Sequence, residues 1–215
     1  MTTQSPFDRL AQQWDDDPVK LQRAGAVASA IAQRTVRGGT WLDYGAGTGA
    51  LGLALLGHAD HLVLADSSTG MVAASRAKIE AAGLADSVRA VRLDLSTDDT
   101  VDECFDGVAS LLALHHIADA GRVVGRLAGL LRPGGWLALA DLDAEDGSFH
   151  GHGRGVRPEH HGFGRAEVGD WLARAGLVDP DFSTPWLNHK DGRDYPLFLA
   201  VARRPLEPVE AVGLH

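Results

Sequence analysis

Three acids, three alternating glycines and a pair of histidines are the residues of this chain whose types and spacing could do chemistry. The run WLDYGAGTGALG brings an apolar strand to Asp43, then Gly45, Gly47 and Gly49 alternate, and a helical pattern begins at once. Glycine is needed where a backbone turns tightly and a ligand must approach it without a Cβ in the way. A strand, such a turn and a helix in immediate succession place the turn at the carboxyl edge of a parallel sheet, where ligands bind. A glycine-rich turn with no ligand is the plainer alternative, weakened by all three parts arriving in register. Two further acids end the next two apolar runs, Asp66 and Asp94, the latter followed by Leu95. His115 and His116 follow a fourth apolar run.

The glycine loop fits the dinucleotide spacing G-x-G-x-x-G/A only loosely, with Ala50 in the last place. The acids point to S-adenosylmethionine instead. Asp43 would sit near a cationic methionine end and would repel a pyrophosphate. Asp66 can accept from both hydroxyls of a ribose, and Asp94 can accept an adenine amino group while a backbone N–H beside it meets a ring nitrogen. Asp66 or Asp94 alone would pass equally well as a strand-end or capping residue. Together, around one glycine loop, they are harder to dismiss.

Positioning these groups requires alternating strands and helices. Strands are predicted from Trp41 to Tyr44, His61 to Ala65, Val88 to Leu93, Phe105 to Leu114 and Trp136 to Leu142. Helices are predicted between them, from Ala50 to Leu56, Thr69 to Ala82 and Asp119 to Leu131, the last stopped by Pro133-Gly134-Gly135. That alternation predicts a parallel, doubly wound sheet. Ahead of it, Phe7, Leu10, Ala11 and Trp14 mark one helical face. Asp17 and Pro18 then start a second helix with Leu21, Ala24, Ala28 and Ile31 on one side. Residues 143–164 break the rhythm with six glycines and four histidines, and a long surface loop is expected there. A helix from Arg165 to Ala175 and two β runs, Leu177 to Leu187 and Tyr195 to Ala202, close the chain. Their short connection at Asp191-Gly192 makes them antiparallel neighbours.

LDYGAGTG, LADSSTGM, RLDL, LLALHHI and LLRPGGWLALADLD, in this order, resemble successive motifs of class I S-adenosylmethionine-dependent methyltransferases. The likeness is closest to the small-molecule branch around the ubiquinone/menaquinone-biosynthesis type and runs over roughly residues 7–203. It implies a Rossmann-like three-layer sandwich with a seven-stranded, mostly parallel sheet and an antiparallel C-terminal hairpin. It also implies one methyltransferase domain over residues 1–215, with residues 1–39 as a helical cover and 143–164 as a lid-like loop. By resemblance, Gly45, Gly47 and Gly49 line the cofactor, Asp66 and Ser67 meet the ribose, and Met71 packs on the adenine. Asp94 and Leu95 read the adenine edge, and Leu112 and Ala113 pass beneath the methionine end. Trp14 is a weaker cover residue, better read as a core aromatic of its helix.

Methyl transfer from a sulfonium is an in-line displacement, so alignment in a dry pocket does most of the work. His115 and His116 are the candidate catalytic pair, needed as a base only if the acceptor must lose a proton early. As neighbours on a strand they would point to opposite faces, so only one would reach the pocket. A structural role for both is the plainer alternative. His150, His152, His160 and His161 match no familiar His-based zinc spacing, and the glycines around them offer no scaffold, so no metal is expected. Cys104 is the chain's one cysteine, which rules out an intramolecular disulfide and multi-thiolate chemistry and suggests a buried small hydrophobe. A net charge of −9 works against nucleic acid and anionic membrane partners. With no signal-like N-terminus, the expected setting is cytoplasmic and the expected partner a small-molecule substrate. An NAD-dependent oxidoreductase and a non-catalytic S-adenosylmethionine-binding protein are the rival functions.

Overall fold

The computed structural model describes residues 7–8, 11, 17–97, 100–151 and 156–206. Leu10, Trp14 and His152 lie outside them.

Strands β1 (Thr40–Tyr44), β2 (His61–Asp66), β3 (Val88–Arg92), β4 (Phe105–Leu111), β5 (Leu131–Leu142), β6 (Val178–Lys190) and β7 (Arg193–Arg203) form one sheet. Its order is β3-β2-β1-β4-β5-β7-β6. The first five strands run parallel, and β7 lies antiparallel between β5 and β6. Helices α1 (Pro18–Ala32), α2 (Ala50–Ala54), α3 (Thr69–Ala81), α4 (Ala120–Gly129) and α5 (Arg165–Arg174) cover both faces. Alternate residues of each central strand feed opposite cores. Leu62 and Leu64 pack with Val27, Ile31 and Leu51 on one face, while Val63 and Ala65 pack with Val123, Leu127 and Val168 on the other. Three layers result, as predicted.

Local chemistry accounts for most boundaries. Asp17 caps α1 by accepting from Val19 N–H, with Pro18 in the first turn. The β6–β7 hairpin turns at Asp191 and Gly192, both at positive φ (51° and 73°), the two-residue geometry whose twist matches its strands.

Three expectations need correction. The fourth strand ends at Leu111 rather than Leu114. Leu112 takes a left-handed conformation (φ 53°), and Leu114–His116 form a 3₁₀ turn, so the two histidines leave the strand. Pro133-Gly134-Gly135 do not lie between elements but inside β5. Its pairing with β4 jumps from Phe105↔Leu131 to Gly107↔Trp136, so residues 132–135 bulge around Pro133, which has no N–H to donate. Cys104 is exposed, because Phe105 takes the core position at the start of β4.

The segment after β5 is tied down rather than loose. Phe163 N–H donates to Leu142 O (2.9 Å), Ala144 N–H to Phe163 O (3.1 Å) and Glu145 N–H to His161 O (2.8 Å). Phe163 is buried and packs edge-on against Trp171.

Candidate active site

A cavity of about 540 Å³ opens at the carboxyl ends of β1, β2 and β4, within the roughly 300–1,000 Å³ of small-molecule and cofactor sites. Its floor is the loop after β1, where Gly45, Gly47 and Gly49 all have positive φ (69°, 55° and 88°). Gly45 is required by close approach as well, since a Cβ there would fall 2.3 Å from Ala113 Cβ. Gly49 serves packing, since a Cβ on it would meet Leu64 at 2.6 Å. Gly45 and Gly47 reach the cavity wall and Gly49 does not.

The acids gather on this wall. Asp66 accepts from Gly47 N–H through Oδ2 and from Ser68 N–H through Oδ1, each at 2.8 Å, so it ties the glycine loop to the start of α3. Burial raises its pKa, opposed by those two N–H groups, with Asp8 and Asp94 adding to the rise. Asp43 is buried and accepts Gly52 N–H at 2.8 Å, the third helical residue of α2. Burial pushes its pKa up to about 7, against the Gly52 bond and with help from Asp66. With Asp43 buried and Asp66 half-buried near one loop, a cationic ligand group would stabilise the ionised form of both.

Ser67, Met71, Asp94, Leu112 and Ala113 also line the cavity. Leu95 does not. Its side chain is buried in the core, and its N–H already donates to the Tyr44 hydroxyl at 3.0 Å. Ser96 takes its place on the wall and donates to Asp94 through both its N–H (3.0 Å) and its hydroxyl (2.6 Å).

Of the histidine pair only His116 faces the cavity. His115 is buried, its Nδ1 2.6 Å from Asp141 Oδ1 and its N–H donating to Asp141 Oδ2 at 3.2 Å. Burial, then the neighbouring His115 and His150, push the His116 pKa down to about 4. This ring is therefore neutral at pH 7 and a weak base.

Several wall residues escaped the sequence: Phe7, Lys20, Arg23, Ser96 and Glu159. Lys20 and Arg23 stand three apart on α1, a spacing that marks one helical face but does not say what the face covers. Phe7 sits edge-on to the His116 ring, 5.2 Å between centroids. Asp8 accepts from Ser68 Oγ (2.6 Å) and Gly70 N–H (2.8 Å) and so docks its segment on α3. Asp141 did carry a signal, being an acid inside the apolar run WLALADL.

Residues 42–139 match the family model described as a methyltransferase domain. The chain is 32% identical over 127 residues to phosphatidylethanolamine N-methyltransferase of Cereibacter sphaeroides, covering 57% of this chain and 62% of that protein. To demethylmenaquinone methyltransferase of Clavibacter sepedonicus it is 31% identical over 140 residues, covering 63% and 56%. The chain thus spans about three fifths of these relatives' lengths. Its fold is shared with a crystal structure of a SAM-dependent methyltransferase from Aquifex aeolicus, at TM-score 0.67 and 18% identity over 94% of this chain and 99% of that one. Residues 42–139 are thus similar to a methyltransferase domain, and the strand order with its antiparallel hairpin agrees with that likeness.

Proposed function

We propose that this chain transfers a methyl group from S-adenosylmethionine to a small-molecule acceptor. The observation that carries this is the convergence of Asp43, Asp66 and Asp94 with Gly45 and Gly47 on one cavity inside the matched domain. When bound, S-adenosylmethionine supplies a sulfonium methyl group, whose in-line displacement by an acceptor lone pair leaves S-adenosylhomocysteine. Asp43, its pKa raised to about 7 by burial, ionises toward the cationic methionine end when the cofactor binds. Asp66 has lone pairs beyond its two backbone bonds to accept from the ribose hydroxyls. Ser67 lies beside that ribose position, Met71 packs on the adenine, and Asp94 accepts its amino group. Leu112 and Ala113 form the apolar wall under the methionine end, and Phe7 shields it from water. His116, neutral and weakly basic, orients the acceptor more readily than it deprotonates it. His115, fixed on Asp141, positions His116 from behind.

An NAD site would set its pyrophosphate on the N-terminus of α2. There the Gly52 N–H is already taken by the buried Asp43 carboxyl and so cannot donate to a pyrophosphate. The acidic surface favours small-molecule acceptors over nucleic acid, and the lone cysteine suits a reducing cytoplasm. No helix of the described residues is long and apolar enough to cross a membrane. Calorimetry with S-adenosylhomocysteine, S-adenosylmethionine and NAD tests the ligand. A metabolite screen for S-adenosylhomocysteine release then tests turnover and separates an enzyme from a silent binder. Tight NAD binding with no response to S-adenosylhomocysteine overturns the proposal.

A further inference from the structure

His115, His116 and His150 converge beside the cavity. Each presents one ring nitrogen, and the three nitrogens lie within 4.8 Å of one another. The ring centroids stand 4.1 Å apart for His115–His116, 5.0 Å for His115–His150 and 5.7 Å for His116–His150. The hydrogen bonding decides which nitrogens are available. His115 Nδ1 is held by the buried Asp141 carboxylate at 2.6 Å, so it carries the proton and leaves Nε2 as a lone pair. The Nδ1 of His116 is buried with no hydrogen-bond partner among the described residues. His150 Nδ1 is likewise buried and unpartnered among the described residues. Buried lone pairs without a donor are costly, and three crowded imidazoles cannot all donate to one another.

A cation would satisfy them. We propose that His115, His116 and His150 form a three-imidazole site for a divalent first-row transition metal of the zinc type, oriented by Asp141. Three histidines with an open fourth position are a known zinc arrangement, and imidazole suits this class of ion. Two imidazoles on one zinc hold their nitrogens roughly 3.3 Å apart, so modest ring rotations complete the site. The Asp141–His115 bond is the carboxylate–histidine contact that fixes tautomer and raises ligand basicity in metal sites. Glu145, close enough to act on the His150 ring, adds negative charge, and Lys190 opposes it.

The histidine turn also has the scaffold that its glycines seemed to deny it. Phe149 N–H donates to Glu145 Oε2 (3.1 Å), Lys190 donates to Phe149 O, and Ser148 Oγ pairs with the Tyr195 hydroxyl (2.8 Å). Spacing along the chain could not reveal the site, because its ligands come from a 3₁₀ turn and a distant loop. It stands whether or not the larger cavity holds S-adenosylmethionine. Under that proposed function, a metal reached through His116 would polarise an oxygen or nitrogen of the acceptor.

The test uses full-length, tag-free protein stripped with a chelator and titrated with Co²⁺ and Zn²⁺ alone, followed by calorimetry and by the cobalt absorption spectrum. One equivalent should bind with a low-symmetry nitrogen-ligated cobalt spectrum. His150→Ala should weaken binding by more than about 100-fold, beyond the usual loss from an outer partner. His161→Ala, an exposed residue of the same segment, should bind as the wild type does. Circular dichroism checks each fold, and His150→Gln replaces the alanine variant if that one is unfolded. Wild-type binding no tighter than that of the His150 variant, or equal loss in His161→Ala, overturns the site.

Discussion

Replacing Asp66 with Ala removes a carboxylate that accepts two backbone N–H groups, from Gly47 and Ser68, both at 2.8 Å. Hydrogen bonds to charged groups contribute about 1.5–3 kcal/mol each, so losing both costs about 3–6 kcal/mol. Part of this returns, because burial already holds the charged carboxylate at a cost, as its raised pKa shows. A net destabilisation of about 2–4 kcal/mol is expected. Sequence alone predicts almost none, since a strand-end acid contributes little to the core. A second loss falls on binding. If the same oxygens accept from ribose hydroxyls, affinity for S-adenosylhomocysteine falls by a further 2–3 kcal/mol or so, about 30- to 150-fold. Urea denaturation without ligand isolates the first effect, and calorimetry under conditions where the variant is folded isolates the second. Asp66→Asn serves as a control, because its amide must turn one N–H toward a backbone N–H and can satisfy only one of the two donors. Unchanged stability in both variants would refute the tie between loop and helix. Normal affinity with reduced stability would refute the ribose role alone.

Three other outcomes follow from the cavity floor. Gly45→Ala drives a Cβ to 2.3 Å from Ala113 Cβ at a φ of 69°, so the loop must shift, and S-adenosylhomocysteine affinity should fall at least about tenfold. Normal binding by the variant would mean that the loop does not contact the ligand. Asp43 is protonated in the folded chain up to about pH 7 but ionises near its ordinary value of 3.8 when unfolded. The stability from its protonated form is therefore full below about pH 4 and is lost as pH rises through 7, by up to about 4 kcal/mol. Denaturation across this range should show a slope that Asp43→Asn abolishes, and identical profiles would refute the assignment. A cationic ligand stabilises the ionised form, so S-adenosylmethionine should release a proton on binding below pH 7, detectable as a buffer-dependent heat.

Much of the fold was legible in the sequence because it is written in short-range terms. Apolar runs of strand length, helical spacing of buried residues and turn-forming glycines each depend on neighbours a few positions away. The loop from Asp43 to Gly49, the Asp17-Pro18 start of α1 and the Asp191-Gly192 hairpin are of this kind, and all three stand where their residues imply. Asp66, Ser67, Asp94, Leu112 and Ala113 stand at or just beyond the end of a strand and, with Met71 in the first turn of α3, line the cavity.

What tertiary structure decided are the choices among partners distant in sequence. The N–H of Leu95 was free to meet a ligand until the Tyr44 hydroxyl took it. His115 and His116 were interchangeable until the left-handed step at Leu112 carried them into a 3₁₀ turn, where Asp141 captured one and the cavity received the other. Pro133 could end a helix or bulge a strand, and pairing with β4 selected the bulge. His150 gained its neighbours only because Lys190, Glu145 and Tyr195 pin its turn beside residues more than thirty positions earlier in the chain. A local pattern specifies what a segment can do, whereas a buried hydrogen bond or a convergent lone pair depends on which distant segment is packed against it.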